Sequence, residues 1–336
     1  MDPVTQGALG AAVALTKARP KQLAGAALVG ALGGMAPDLD VLIRSNTDSL
    51  LFLEYHRQFT HSLLFVPIGA LLCALVLSPL LGKRFDLKFS SVYTFCLLGY
   101  ATHGLLDACT TYGTLLLWPL SYDRIAWNVL SIIDPLVTLP LLLGIFWTVR
   151  SKSSAPIFLA LAWFGSYVAV GMVQRDRAEA VAWELALTRG HSPQRLEAKP
   201  SFANLLVFKT VYEDSDRFYV DAVHVGVDTK IYEGKSVAKL DVGRDFPWLE
   251  SESQQARDIE RFRWFSNDYL ALDQTDPYRV IDMRYSLLPN DINALWSIQL
   301  DPNVGSEVHV AYQMHRGDSR AALPTLWAMI IGEDID

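Results

Sequence analysis

Long uncharged apolar runs, broken by short polar clusters, fill the first half of the chain, whereas shorter stretches of alternating apolar and polar residues mark the second. The runs cover residues 4–16, 22–36, 62–81, 90–109, 127–149 and 156–173, and each predicts a helix. A helix rises about 1.5 Å per residue and a bilayer core is about 30 Å thick, so a full span needs about 20 residues. The last four runs reach or approach that length. The first two are shorter and rich in small residues, including Gly7, Gly10, Gly25, Gly30, Gly33 and Gly34. Small residues let membrane helices approach closely, so these two runs predict a tight hairpin that either spans or re-enters the membrane. Beyond residue 174, a polar helix-prone stretch, 175–189, ends at Gly190. Segments 205–212, 217–227, 279–287, 295–300 and 307–313 read as strands, and 250–264 as an amphipathic helix. Residues 323–331 are apolar but too short to cross, and are expected either in a core or against the helical half. The expected architecture is an α-helical membrane bundle of about six apolar helices, residues 1–174, followed by a soluble α+β domain, residues 175–336.

Charge sharpens this division. Residues 1–174 carry 11 Lys and Arg against 9 Asp and Glu, a net of +2; residues 175–336 carry a net of −9. The acidity of the second half argues against nucleic acid as a partner. Its length suffices for a core of its own. All three cysteines, Cys73, Cys96 and Cys109, lie in the first half, so no disulfide framework is implied for the second. Met1-Asp2-Pro3 lacks the basic stretch of a cleavable signal. Three connections are basic: Lys17, Arg19 and Lys21; Lys83, Arg84 and Lys88; Arg150 and Lys152. Among them stands a single acid, Asp86. In an up-and-down bundle of six helices all three fall on one side, which the positive-inside rule makes cytoplasmic. The acidic domain then lies on the opposite side, the periplasm in a Gram-negative cell.

Ionisable residues inside the apolar half collect in three clusters: Pro37-Asp38-Leu39-Asp40, His56-Arg57-Gln58-Phe59-Thr60-His61-Ser62 and His103-Gly104-Leu105-Leu106-Asp107. Groups of this kind cost about 2.5–3.5 kcal/mol each at membrane depth on insertion scales, so they are expected to be paired, bound or functional. His and Asp are also the residue types that hold divalent metals. Asp38 and Asp40, two apart after a proline, either meet one centre, bridge two, or simply make a turn. His56 and His61 flank a turn before an apolar run, with Thr60 or Ser62 available to cap the next helix. His103 and Asp107 share a helix face, so they either present ligands to the bundle interior or satisfy one another by a hydrogen bond. Arg57 suits an anionic group, or a position at the headgroups. Asp134, before Pro135, reads as a further ligand, a support for a ligand His, a general base, or a partner for a backbone group near the proline. Asp2, Thr5 and Gln6 fall at the same end. Thr110 and Thr111 offer hydroxyls, and Tyr112, Trp118, Tyr122 and Trp127 read as an interfacial belt. His191, His224, His309 and His315 have no ligand spacing.

These motifs, with Met1-Asp2-Pro3-Val4-Thr5-Gln6-Gly7 and the Thr-Tyr-Gly that follows Asp107, resemble the YdjM-like family of bacterial inner-membrane metal-dependent hydrolases over about residues 1–174. Many members carry His where this chain has Gln6. The resemblance implies a metal-binding protein of the inner (cytoplasmic) membrane, crossing it several times.

Taken together, the expected ligands of one or two divalent ions (Zn, Mn or Fe) are Asp38, Asp40, His56, His61, His103 and Asp107. Arg57 is expected to hold an anionic substrate group, and Asp134 to act as base or support. The expected function is metal-dependent hydrolysis at the membrane–water interface, on a lipid or phosphoester. Two other functions fit the same residues. One is a metal or proton transporter, which requires polar residues continuing across the membrane; segments 62–81 and 156–173 offer almost none. The other is a non-enzymatic envelope sensor or assembly factor with a structural metal.

Overall fold

Along the first half of the chain small residues fill the closest helix contacts, and many large apolar side chains face outward. In the computed structural model, which describes residues 1–315, 317 and 319–335, this half forms a helical unit made of Met1–Leu42 and Tyr55–Val173. Helix α1 (Pro3–Leu15) starts at a proline, whose missing N–H is no loss in a first turn, and Asp2 caps it by accepting from the N–H groups of Val4 and Thr5. It packs against α2 (Leu23–Met35), which continues as a 3-10 helix over Ala36–Leu42. A short helix, α3 (Leu51–Tyr55), and a 3-10 turn at Phe59–His61 precede α4 (Val66–Leu77), which ends in a π turn at Ser78–Gly82. Neither Thr60 nor Ser62 caps α4: Thr60 donates to Asp40, and Ser62 to the carbonyl of Trp118. Then come α5 (Phe89–Ala108), α6 (Pro135–Ser151) and α7 (Ala155–Thr188). Helices α1, α2 and α5 form the inner layer. Added to Gly99, a Cβ would lie 2.2 Å from the carbonyl oxygen of Gly30, so only glycine permits α2 and α5 this separation. Leu72, Leu75 and Val76 on α4, Leu143 and Phe146 on α6, and Phe158 and Leu159 on α7 face outward. A surface this apolar is made for lipid rather than water.

A membrane bundle of about six apolar helices was expected, and fewer of its helices are able to span. Among the described residues, two helices are long and apolar enough to cross a membrane, Leu23–Leu42 and Ala155–Thr188. A third span exists if the bent pair Leu51–His61 and Val66–Gly82 counts as one. The shortfall has local causes. Helices α1 and α6, with 13 and 17 residues, are about 20 and 25 Å long. The run from residue 127 stays irregular until Pro135 starts α6. Helix α5 has 20 residues, but its serines, threonines, His103 and Asp107 dilute its hydropathy. The final run and the polar stretch 175–189 are one helix of 34 residues.

The second unit comprises Ile43–Glu54 and the residues from Gln174 onward, and it is rich in β-structure. Strands β1 (Arg195–Pro200), β2 (Val207–Asp214), β3 (Arg217–Val225) and β4 (Thr229–Tyr232) form an antiparallel sheet in that order, and β5 (Ser236–Ala238) pairs with the start of β3. After α8 (Val242–Asp245) and α9 (Gln254–Phe265), β6 (Leu270–Leu272), β7 (Arg279–Asp282), β8 (Trp296–Gln299) and β9 (Ala311–Met314) form a second antiparallel sheet. Phe218, Val220 and Val237 meet Tyr269, Ile281 and Met283 in one core. Ala178 of α7 packs on Phe208 and Val223. The closing helix, α10 (Ser319–Ile331), places Met329 against Val207, Ala222 and Tyr232, so this apolar segment serves as core.

Segment 43–54 is inserted between the first and second Asp/His clusters, yet it belongs to the second unit. There Arg261 of α9 binds Asp48 (2.8 Å) and Glu54 (2.5 Å), and Ser49 donates to the carbonyl of Val310. Phe52 sets its ring edge-on to Tyr312.

Candidate metal centre

Four chain segments bring the metal-type residues together at one end of the helical unit. Asp38 and Asp40 come from the 3-10 extension of α2, where the chain leaves the α-helix at Ala36-Pro37. His56 and Arg57 follow α3, and His61 closes the 3-10 turn after it. His103 and Asp107 stand one turn apart on the buried face of α5. The turn at His61 lies directly on α5, because a Cβ on Gly104 would come within 2.2 Å of the His61 carbonyl oxygen.

Ligand atoms of Asp38, His61, His103 and Asp107 all lie within 4.8 Å of one another. The two imidazoles point their Nε2 atoms at each other, 2.8 Å apart. Each ring is fixed from behind. His103 Nδ1 sits 2.5 Å from the carbonyl oxygen of Gly34, which can only accept, so this nitrogen carries the proton. His61 Nδ1 faces Asp40 Oδ2 at 3.2 Å, also an acceptor. With both protons on Nδ1, two Nε2 lone pairs would face each other, an arrangement relieved either by a proton shared between them at 2.8 Å or by a metal ion. The surroundings favour a cation. Asp38 Oδ1 is 3.5 Å from His61 Nε2 and 3.4 Å from His103 Nε2. Asp107 Oδ2 is 3.3 and 3.7 Å from the same two nitrogens, and its ion pair with Arg57 Nε at 3.1 Å leaves it facing both rings. Two His and two carboxylates form a donor set suited to a divalent transition ion, with Asp40 and Gly34 as supports for the ligand rings.

Asp38 is shared with a second group, Asp38, Asp40 and His56, in which His56 Nδ1 lies 2.8 Å from Asp40 Oδ1. A carboxylate common to two donor groups can bridge a pair of neighbouring ions. Asp40 gathers this side: Thr60 Oγ1 donates to its Oδ2 at 2.7 Å, and the Arg57 N–H at 3.1 Å. Arg57 has a φ of +66°, a left-handed conformation that costs a non-glycine residue about 1–3 kcal/mol. Hydrogen bonds on both sides hold it there, since its carbonyl accepts from the N–H of Leu115.

The guanidinium of Arg57 turns inward. It lies 3.1 Å from Asp107 Oδ2, donates to Thr110 Oγ1 at 3.2 Å and stacks over the Tyr112 ring at 5.0 Å. Asp107 Oδ1 accepts from Gln6 Nε2 at 2.9 Å and contacts the Met1 amino group. Gln6 Oε1 is buried beside this centre without a hydrogen-bond partner. Asp2 and Thr5 serve elsewhere, capping α1 and meeting Thr138.

Asp134 does not join either donor group. It caps α6, accepting from the Leu136 N–H, and its other oxygen accepts from the Tyr167 hydroxyl at 2.8 Å. Thr60, Gly34 and Gly104 were not singled out as supports from sequence, although Thr60 stands beside His61 and Gly104 beside His103. In the second unit, His309 pairs with Asp258, His315 with Ser297 and His191 with Tyr212, as structural contacts.

The profile of the YdjM inner membrane protein family matches residues 1–178, more than half of the chain and all of the segments that build this centre. The chain belongs to the YdjM inner membrane protein family. Membership places it in the inner membrane. Over 131 residues it is 28% identical to the uncharacterized protein YfhP of Bacillus subtilis (strain 168), covering 38% of each chain. Over 108 residues it is 33% identical to the inner membrane protein YbcI of Escherichia coli (strain K12), covering 31% of this chain and 60% of that one. In both cases the match spans less than two thirds of the relative's length. No solved structure matches the chain.

Proposed function

We propose that this protein is a metal-dependent hydrolase of the inner membrane, acting on a lipid or phosphoester at the membrane–water interface. The observation that carries the reading is the pair of imidazole Nε2 atoms 2.8 Å apart, flanked by two carboxylates, with an oxygen beside each Nδ1. His61, His103, Asp107 and Asp38 would hold one ion, and Asp38, Asp40 and His56 a second. Such ions supply Lewis acidity toward a phosphoryl or acyl oxygen and make water a stronger acid. Arg57 fixes Asp107 and places a permanent positive charge beside the centre, where an anionic substrate oxygen gains most from it. Asp38 and His56, more exposed than the other ligands, mark the side from which substrate enters.

An apolar groove of about 860 Å³ between α1, α2 and α6 supports a lipid substrate. Pro3 and Met35 line it, each within about a turn of site residues Gln6 and Asp38. The basic connections at residues 17–21, 83–88 and 150–152 support a topology in which the metal centre and the second unit face the periplasm.

The test is metal content by mass spectrometry on detergent-purified protein beside the His61→Ala/His103→Ala variant, with a screen of phosphoester and lipid substrates. One or two equivalents of a transition ion, lost together with turnover in the variant, is the expected result. A folded wild type that takes up no ion after reloading, or a double variant with full turnover, refutes the reading. A second reading, a sensor or assembly factor with a structural metal, draws on the insertion of residues 43–54 into the second unit. It predicts stoichiometric metal and no turnover on any substrate.

A further inference from the structure

The opposite end of the helical unit carries a second polar feature. Lys17, Arg19 and Lys21 lie on the turn between α1 and α2, and Lys88 immediately precedes α5. These four cations and one acid, Asp86, line a cavity of about 860 Å³, leaving a net of three positive charges. Among the described residues, no ion pair engages any of the four cations. Ser90, Ser91 and Thr94 add hydroxyls to the wall. Helix α5 begins here without a side-chain cap, so its dipole adds to the positive potential. His103 lies about 21 Å further along the same helix at 1.5 Å per residue, so the cavity is separate from the metal centre.

We propose that this cavity binds the phosphate of an anionic membrane-lipid headgroup. Its chemistry is that of a phosphate site: several cations, neutral donors and a helix N-terminus converging on one space. Its place favours a lipid. The cavity opens where apolar helices end, the depth at which headgroups lie, and basic pockets between membrane helices take phosphorylated headgroups there. Phe85 and Phe95 supply apolar wall that a glycerol or acyl portion would cover and a free phosphate would leave exposed. Basic residues that merely set orientation need only flank a span; they need not surround a cavity.

The test uses the full chain in phosphatidylcholine nanodiscs, titrated with phosphatidylglycerol or with inorganic phosphate. Native mass spectrometry counts bound lipid, and the thermal midpoint reports stabilisation. Each cation near the surface contributes about 1 kcal/mol toward an anionic lipid, about a fivefold change in affinity. Lys21→Ala/Lys88→Ala should therefore bind phosphatidylglycerol about 25-fold more weakly, and Lys21→Arg/Lys88→Arg should bind it like wild type. Wild-type binding should also weaken as salt is raised. Phosphatidylglycerol retained no better than phosphatidylcholine overturns the proposal, as does retention unaffected by the alanine pair or by salt. Inorganic phosphate that saturates the protein and displaces the lipid overturns the lipid assignment in favour of a free-anion site. The salt series on wild type screens the charge without any substitution, and the arginine pair keeps it, so the proposal stays testable even if the alanine pair misfolds.

Discussion

Gly104→Ala tests whether the metal centre depends on the contact between α5 and the His61 turn. In a helix, alanine ordinarily gains about 0.5–1 kcal/mol over glycine. Here the added Cβ would lie 2.2 Å from the backbone oxygen of His61 and 3.0 Å from Leu116 Cδ2. Carbon–oxygen contacts settle at about 3.3–3.6 Å, so the turn must retreat by about 1 Å. A backbone oxygen cannot rotate away, and overpacking of this kind costs about 1–3 kcal/mol. The clash therefore outweighs the helix gain. The retreat carries His61 away from His103, and metal sites tolerate only about 0.2 Å in ligand distance. Metal affinity should fall about 10–100-fold, the usual effect of disturbing a ligand's support, with a lowered thermal midpoint. Gly165→Ala is the control, because a Cβ there meets nothing within 4 Å. Titration of the apo protein with the ion, read by mass spectrometry and thermal unfolding, gives both quantities. Wild-type affinity and midpoint in the Gly104→Ala variant would refute the reasoning.

Asp40→Asn keeps the side chain's shape but removes the charge facing His56, His61, Thr60 and the Arg57 N–H; metal affinity should drop about 10–100-fold, and equal uptake by the two proteins would show that Asp40 does not orient the ligands. Arg261→Gln strips partners from Asp48, Glu54 and the fully buried Asp258, costing about 1–3 kcal/mol; hydrogen exchange in residues 43–54 should accelerate, and unchanged exchange would refute the clamp. Burial pushes the Lys209 ammonium down to about 7 from its ordinary 10.5, although its Nζ donates to Ser286 and to the Asp291 carbonyl. Between those values the unfolded chain holds the extra proton, so this lysine makes the domain more stable as pH rises from about 7 toward 10 and contributes no further change below 7. The thermal midpoint of wild type relative to Lys209→Met should therefore climb over that interval, and a constant difference would contradict it.

Composition and local pattern were enough for a helical, apolar first half and an acidic second half with strands, because hydropathy and periodicity are properties of neighbouring residues. They also singled out Asp38, Asp40, His56, His61, His103 and Asp107, since ionisable residues inside apolar runs stand out without any knowledge of partners. Helix ends decided by packing were less legible. Six apolar runs read as about six spans, but α1 and α6 stop short, and Trp127–Ile133 is held irregular by contacts such as the Val129 and Leu130 N–H bonds to the Cys109 carbonyl. Only the tertiary structure separated the roles. Asp134 and Asp107 look alike in sequence, each an acid in an apolar run, yet one caps α6 and meets Tyr167 while the other faces two imidazoles. Arg57 could be read as a free cation until its guanidinium was seen against Asp107 and Tyr112. The insertion of residues 43–54 into the second unit left no local trace, because its partners, Arg261, Val310 and Tyr312, lie more than 200 residues away. Which residues carry metal-type chemistry is written in their identities; which of them converge depends on close approaches such as Gly99 to Gly30 and Gly104 to His61, and those exist only once the helices have packed.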